Sequence, residues 1–319
     1  MASLDEPTTP GVLLRSAHTL AQLTSNFGGT TSSPDTIVNS IAAPEHATHR
    51  SLVPILQPRA LKSLQLAGAV LVSPELAHRV PHLPRWEHPH ARFALARVLD
   101  AQTFARKREP TISPHAVIEP GVTLGAHVTV GHGAVVLSGA SIGDASVIEP
   151  RAVIYGSVTI GQRVTVGAGA VLGRPGFGWA HGPEDQMIRM PQLGGVVIED
   201  DVEVGPLATV DAGTLKPTRL RRGCKLDAQV HVGHNVEIGE ATIIAAQCGF
   251  AGSVTVGNHV LIGGQVGVAD HATIGDHARL AGRSGVIGPI PAHATVAGYP
   301  AVDRLRWLRA VARMMRGRS

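Results

Sequence analysis

Large aromatic side chains are nearly missing from this sequence. Phe, Tyr and Trp make up 3% of its 319 residues, too few to fill the interior of an ordinary globular domain of this length. Cysteine is scarcer still, at two residues, Cys224 and Cys248, which excludes a disulfide framework and fits a reducing compartment. No apolar stretch is long enough to span a bilayer, and no basic run followed by an apolar core opens the chain; a cytoplasmic protein is expected. Glycine, by contrast, is abundant at 37 residues, and together with Val, Ile and Ala it suits a narrow interior.

The formal charge of +4 comes from the C-terminal tail, where Arg304 to Ser319 holds six arginines and no acid. Such a tail can meet nucleic acid, an anionic membrane or an acidic protein, and charge alone does not choose among them.

A branched apolar residue recurs every six positions at Ile112, Ile118, Leu124, Val130, Val136, Ile142, Ile148, Ile154, Ile160, Val166 and Leu172. A small or β-branched partner sits two residues earlier, as at Ala116, Val122 and Ala134, and glycine often follows, as at Gly125, Gly131, Gly143, Gly161 and Gly167. Residues two apart on a strand face the same way, so each unit supplies one short flat face and then a corner, where glycine eases the turn. Three faces close a triangle, and successive coils stack through parallel-strand hydrogen bonds about 4.8 Å apart. The pattern resumes at Ile198, Val204 and Val210, shifts register, and runs from Leu220 to Val286. Between Leu172 and Ile198 too many residues intervene for one corner, so a loop carrying Gly176, Phe177, Gly178 and Trp179 leaves the prism. Both cysteines fall at small inward positions and read as core.

The flanks differ. Residues 1–45 are rich in Ser, Thr, Pro and Ala without a clear period, which predicts partial disorder around one short helix near Leu13–Leu23. Residues 46–108 read as a small α/β domain, with a buried strand at Ala67–Ser73 and a helix at Arg92–Leu99. Residues 109–298 form the prism. In 299–319, Leu305, Leu308, Ala312 and Met315 fall on one helical stripe, predicting an amphipathic helix that either packs on its own prism or forms a coiled-coil seam in an oligomer.

Of 17 histidines many lie at repeat corners, including His127, His132, His259 and His277, where a solvated turn residue is the ordinary reading. His234 differs because Gly252 follows it by 18 residues, one full coil, which brings a base and a backbone N–H together on one edge. Acyl transfer from a thioester to an amine needs both: a group to take the amine proton and a donor for the oxyanion. His271, two coils and one position beyond, is placed to line the same cleft, and Asp227 is a candidate to orient an imidazole there. Spacing alone does not separate these two from turn residues.

Several segments are more specific: Lys225-Leu226-Asp227 leading into Val232-Gly233-His234-Asn235-Val236, then Ala245-Ala246-Gln247-Cys248-Gly249-Phe250-Ala251-Gly252-Ser253, with Gly176-Phe177-Gly178 and Pro191-Gln192-Leu193-Gly194-Gly195 upstream. Over residues 46–319 the chain resembles the UDP-3-O-(3-hydroxyacyl)glucosamine N-acyltransferases of lipid A synthesis. The resemblance implies a mainly β fold, a left-handed parallel β-helix of hexapeptide repeats with a small N-terminal α/β domain and a C-terminal α-helix. It implies a homotrimer that moves a 3-hydroxyacyl chain from acyl carrier protein to the 2-amine of a nucleotide sugar, without metal or cofactor. His234 would be the general base, Gly252 an oxyanion donor and His271 a second cleft histidine, with Phe177, Gln192, Asp227 and Gln247 on the substrate side. The arginine-rich helix would then face the acidic carrier protein and not nucleic acid.

Departures accompany the likeness. Where the family holds uracil with Phe, Asn and Tyr, this chain has Pro54, Gln57 and Ala60; Ala212 stands for a common Arg, and Ala228 for Asn. A diverged paralogue acting on another amino sugar, or a catalytically silent trimeric scaffold, are the competing readings, with a zinc-dependent carbonic anhydrase of the same fold behind them.

Overall fold

The computed structural model describes residues 11–102 and 111–316. The chain divides into two compact units, with the division after residue 107, and each is described by itself.

The first unit is a six-stranded sheet with helices. Its elements are β1 (Val12–Thr19), α1 (Leu20–Phe27), β2 (Thr30–Thr31), β3 (Ile37–Ile41), β4 (Ser51–Ile55), β5 (Ala69–Val72), α2 (Pro74–Ala77), β6 (Arg85–Glu87) and α3 (Ala91–Gln102), and the sheet order is β1-β3-β4-β5-β6-β2. The inner pairs β3–β4, β4–β5 and β5–β6 are parallel. Strands β4 and β5 are apolar on both faces because apolar clusters cover both sides of the sheet: Leu52 and Leu71 pack with α1 and α3, and Val53, Ile55, Val70 and Val72 pack on the other side.

Residues 11–41 are part of this sheet and do not form the loose segment that their composition predicts. Val12–Thr19 is a strand paired antiparallel with β3, and the helix begins at Leu20, behind a capping box in which Thr19 and Gln22 satisfy each other's backbone amides. Leu14, Leu20, Leu23 and Val38 are buried. Pairing with a partner strand, which local composition cannot register, decides the outcome here. Pro54 lies within β4, and Gln57 and Ala60 lie at the short 3₁₀ turn that follows it.

The second unit is a left-handed parallel β-helix whose three faces carry nine, eight and ten strands. Partners lie one coil apart, as Val135 with Val153 and Lys225 with Ile243. The interior is a column of Val, Ile, Ala and Leu, with Cys224 and Cys248 at small inward positions and Phe250, fully buried, as its largest member. Burial pushes the Cys224 thiol up to about 12 and raises that of Cys248, so both are inert core residues.

The repeat glycines have a different role from the one the period predicts. Left-handed φ angles fall two residues later, at His127 (φ 59), Ala145 (φ 56) and Arg163 (φ 54). The glycines themselves are required by close stacking: a Cβ on Gly131 would lie 2.6 Å from the Pro150 nitrogen, and one on Gly167 2.5 Å from that of Pro206.

Two insertions interrupt the stacking at one corner. Val171 pairs with Thr209 and Thr209 with His231, so chain is extruded first between Leu172 and Val196 and again between Asp211 and Thr218. The longer insertion carries an antiparallel hairpin, Trp179–His181 with Met187–Arg189. Past Val286 the chain makes a short antiparallel pair, Thr295–Ala297 with Val302–Asp303, before α4 (Arg304–Arg316). The expected helix from residue 299 starts later because Asp303 caps it, its Oδ1 accepting from Arg306 N–H at 3.0 Å. Leu305, Leu308 and Met315 on the α4 stripe are exposed; residues 317–319 lie outside the described chain.

Candidate active site

The nine-stranded face of the prism carries a cleft of about 990 Å³. Its floor is formed by the outward positions of successive strands, Gly249, Gly267 and Gly285, which contribute no side chains. Space above Gly249 and Gly267 is open, whereas the Tyr299 ring lies on Gly285 and closes that end. His231 stands at the other end, its Nδ1 2.7 Å from the Thr209 hydroxyl.

One wall is the corner where the two insertions leave the prism, and it brings together His234, Gly252 and His271, with Phe177 of the longer loop. Parallel pairing of His231–Val232 with Gly249–Phe250 sets the register that stacks Gly252 on His234. The imidazole lies against that glycine: a Cβ built there would fall 2.5 Å from Cε1 and 2.6 Å from Nε2. Only glycine fits. Gly176 crosses on the other side, where a Cβ would lie 3.0 Å from that of His234.

The Gly252 N–H is the second feature of this corner. At other corners the corresponding amide is capped from the next coil, as Ala126 N–H by Asp144 Oδ1 at 2.8 Å and Asn258 N–H by Asp276 Oδ1 at 2.8 Å. The residue placed to cap Gly252 is Asp270, which is exposed on the cleft. Among the described residues the Gly252 N–H has no acceptor, while its neighbours Ala251 and Ser253 donate to Val268 and His234 carbonyls. A donor without an acceptor, beside an imidazole, is the arrangement an oxyanion requires.

The remaining sequence candidates separate. Gln192 is buried and joined to His234 indirectly: it accepts from the Thr214 hydroxyl at 2.7 Å, which accepts from Asn235 Nδ2 at 3.1 Å, and that same Nδ2 lies 3.0 Å from His234 Nδ1. Among the described residues Asp227 does not reach an imidazole. Its Oδ1 accepts from Ala228 N–H at 2.7 Å, because it follows a strand of a different face. Gln247 belongs to an exposed ladder, donating to Gln229 at 2.9 Å and accepting from Gln265 at 2.8 Å.

The carboxylate actually near the imidazoles is Asp211, which sequence reasoning missed. It is 1% exposed, and Arg174 approaches with Nε 2.8 Å from Oδ1 and Nη2 3.3 Å from Oδ2. The Nε contact is an ion pair without hydrogen-bond alignment, so that among the described residues Oδ1 has no hydrogen-bond partner. Burial pushes the Asp211 carboxyl up, opposed by the charge of Arg174 and of the imidazoles. Its only sequence signal is an acid inside an apolar strand, Thr209-Val210-Asp211-Ala212.

Comparison with known proteins bears on the fold and the family. The family models described as bacterial transferase hexapeptide (six repeats) and hexapeptide repeat of succinyl-transferase match residues 139–174 and 121–150. The UDP-N-acetylglucosamine acyltransferase from Campylobacter jejuni superposes with a TM-score of 0.56 at 28% identity, covering 61% of this chain and 74% of that one. The UDP-3-O-acylglucosamine N-acyltransferase of Helicobacter hepaticus is 36% identical over 85% of this chain and 87% of its own length. That of Anaeromyxobacter dehalogenans is 36% identical over 93% of this chain and 91% of its own. With likeness of that extent running through prism and first unit alike, this chain belongs to the UDP-3-O-acylglucosamine N-acyltransferase family.

Proposed function

We propose that this protein transfers a 3-hydroxyacyl chain from acyl carrier protein to the 2-amine of UDP-3-O-acylglucosamine, a step of lipid A synthesis in the cytoplasm. The observation that carries the proposal is the His234 imidazole lying against the uncapped Gly252 amide. The amine attacks the thioester carbonyl, the C–N bond forms, and the oxyanion is met by the Gly252 N–H. His234 takes the amine proton; the C–S bond then breaks, and the proton passes to the departing thiolate. His271 supports the same cleft wall, and Phe177 supplies an exposed apolar surface at its mouth. The glycine floor is a bed without side chains for an acyl chain.

Two further features of the proposal concern assembly. The exposed stripe of α4 fits a trimer in which neighbouring prisms complete each cleft, and its arginines fit the acidic carrier protein. The first unit would bind the nucleotide sugar. One observation favours a second reading of the acceptor: Pro54, Gln57 and Ala60 provide no aromatic ring to stack on a uracil, a contact worth about 0.5–1.5 kcal/mol.

The test is an assay of the full chain with 3-hydroxyacyl carrier protein and, separately, UDP-3-O-acylglucosamine or the same sugar without its nucleotide. An N-acylated nucleotide sugar, identified by mass, is the expected product. Reaction with the nucleotide-free sugar alone would keep the chemistry and replace the acceptor, and no amide from either would overturn the proposal.

A further inference from the structure

The hydrogen-bond chain behind His234 determines where that ring keeps its proton. Gln192 Nε2 faces the Met190 carbonyl at 3.4 Å, and a carbonyl only accepts, so Gln192 turns its Oε1 to Thr214. The Thr214 hydroxyl donates its one proton there, at 2.7 Å, and must therefore accept from Asn235 Nδ2 at 3.1 Å. The other end gives the same answer independently. The Thr214 backbone N–H, which only donates, points at Asn235 Oδ1 at 2.7 Å.

The Asn235 amide is thus oriented from both sides, oxygen toward the Thr214 backbone and nitrogen toward His234. That nitrogen lies 3.0 Å from His234 Nδ1. An amide nitrogen donates and does not accept, so Nδ1 must hold a lone pair, and the proton of the neutral ring sits on Nε2. Nε2 is at the ring edge that lies against Gly252.

We propose that Asn235 is a positioning residue that holds unliganded His234 in the Nε2–H tautomer, so that His234 becomes a base only when Asn235 releases Nδ1. The proposal rests on the assignment of His234 as the base. Accepting the amine proton at Nε2 requires a lone pair there, which the resting tautomer lacks. The conversion moves one proton from Nε2 to solvent and one from solvent to Nδ1, with no change in net charge. Rotating the Asn235 amide would then present Oδ1 to the new Nδ1–H, at the expense of its bond from Thr214. Gln192 accordingly acts on the imidazole through Thr214 and Asn235.

Nitrogen-15 NMR of the full chain labelled at histidine reads the tautomer directly, with His234→Gln used to assign the signals. In wild type at a pH where the ring is neutral, the expected pattern is a pyridine-type Nδ1 and a pyrrole-type Nε2. Asn235→Asp, whose carboxylate accepts from Nδ1–H and whose side chain tolerates the local φ of 60°, should reverse it. A pyrrole-type Nδ1 in wild type would overturn the proposal, and this outcome does not depend on any variant folding. Asn235→Asp should also raise kcat about tenfold, the equivalent of one hydrogen bond, with KM within about twofold. If the tautomer reverses and kcat does not rise, Asn235 keeps its role and His234 loses that of base.

Discussion

At the scale of single residues, the site is built from a contact that tolerates no side chain. The imidazole of His234 occupies the space a Cβ at Gly252 would need, 2.5 Å from Cε1. Gly252→Ala should therefore displace the ring and misplace the oxyanion donor, lowering kcat by roughly 10²-fold or more, while circular dichroism and Tm stay near wild type because the corner is at the surface. Both residues are legible in sequence because a one-coil spacing is a distance in disguise. Asn235, Thr214 and Asp211 are not, because their roles depend on which way an inserted loop folds back, and the repeat carries no information about that. Asp227 misleads for a related reason: seven positions along the chain is one corner too far.

Asp211 makes its own prediction. Its carboxyl is held above the ordinary range, chiefly by burial, so the folded state binds a proton at pH values where the unfolded chain has lost it. The resulting stability is complete below the unfolded carboxylate range of about 3.9 and is lost as pH rises through the raised folded value. Asp211→Asn should melt a few degrees above wild type at neutral pH, the gap closing in acid. A variant that melts lower at neutral pH would mean that the pair with Arg174 outweighs the burial cost.

At the scale of elements, the coil is the unit of stability. Phe250 is fully buried and pairs in the ladder with Val232 and Val268, directly behind the cleft floor. Phe250→Ala should cost about 3–5 kcal/mol in denaturant unfolding, a loss that Phe250→Leu largely avoids. The six-residue period made almost every strand of the prism readable, since a narrow interior admits few side-chain types. What it could not supply was the reason for the glycines that directly follow the apolar positions, such as Gly131 and Gly167, which stack against backbone and do not themselves take the left-handed turn. The strand β1 was equally hidden, because its partner β3 lies beyond a helix, the strand β2 and two short loops, and pairing of that kind leaves no local period.

At the scale of the whole molecule, α4 presents Leu305, Leu308 and Met315 to solvent in the single chain, a stripe that a helical period reveals but whose partner no single sequence names. If the stripe holds a trimer together, truncation after Asp303 should convert the protein to a smaller species by light scattering and reduce amide formation at least about tenfold, in line with a cleft completed by a neighbour. A truncated chain of unchanged oligomeric state and activity would remove α4 from both roles.

The most direct test of the account is single-turnover amide formation by the full chain and by His234→Ala, followed by mass spectrometry with saturating 3-hydroxyacyl carrier protein and amino-sugar acceptor. A base at His234 predicts a loss of roughly 10²- to 10⁴-fold in the chemical step, with the protein's fold and melting temperature retained. Equal rates in the two proteins would contradict it.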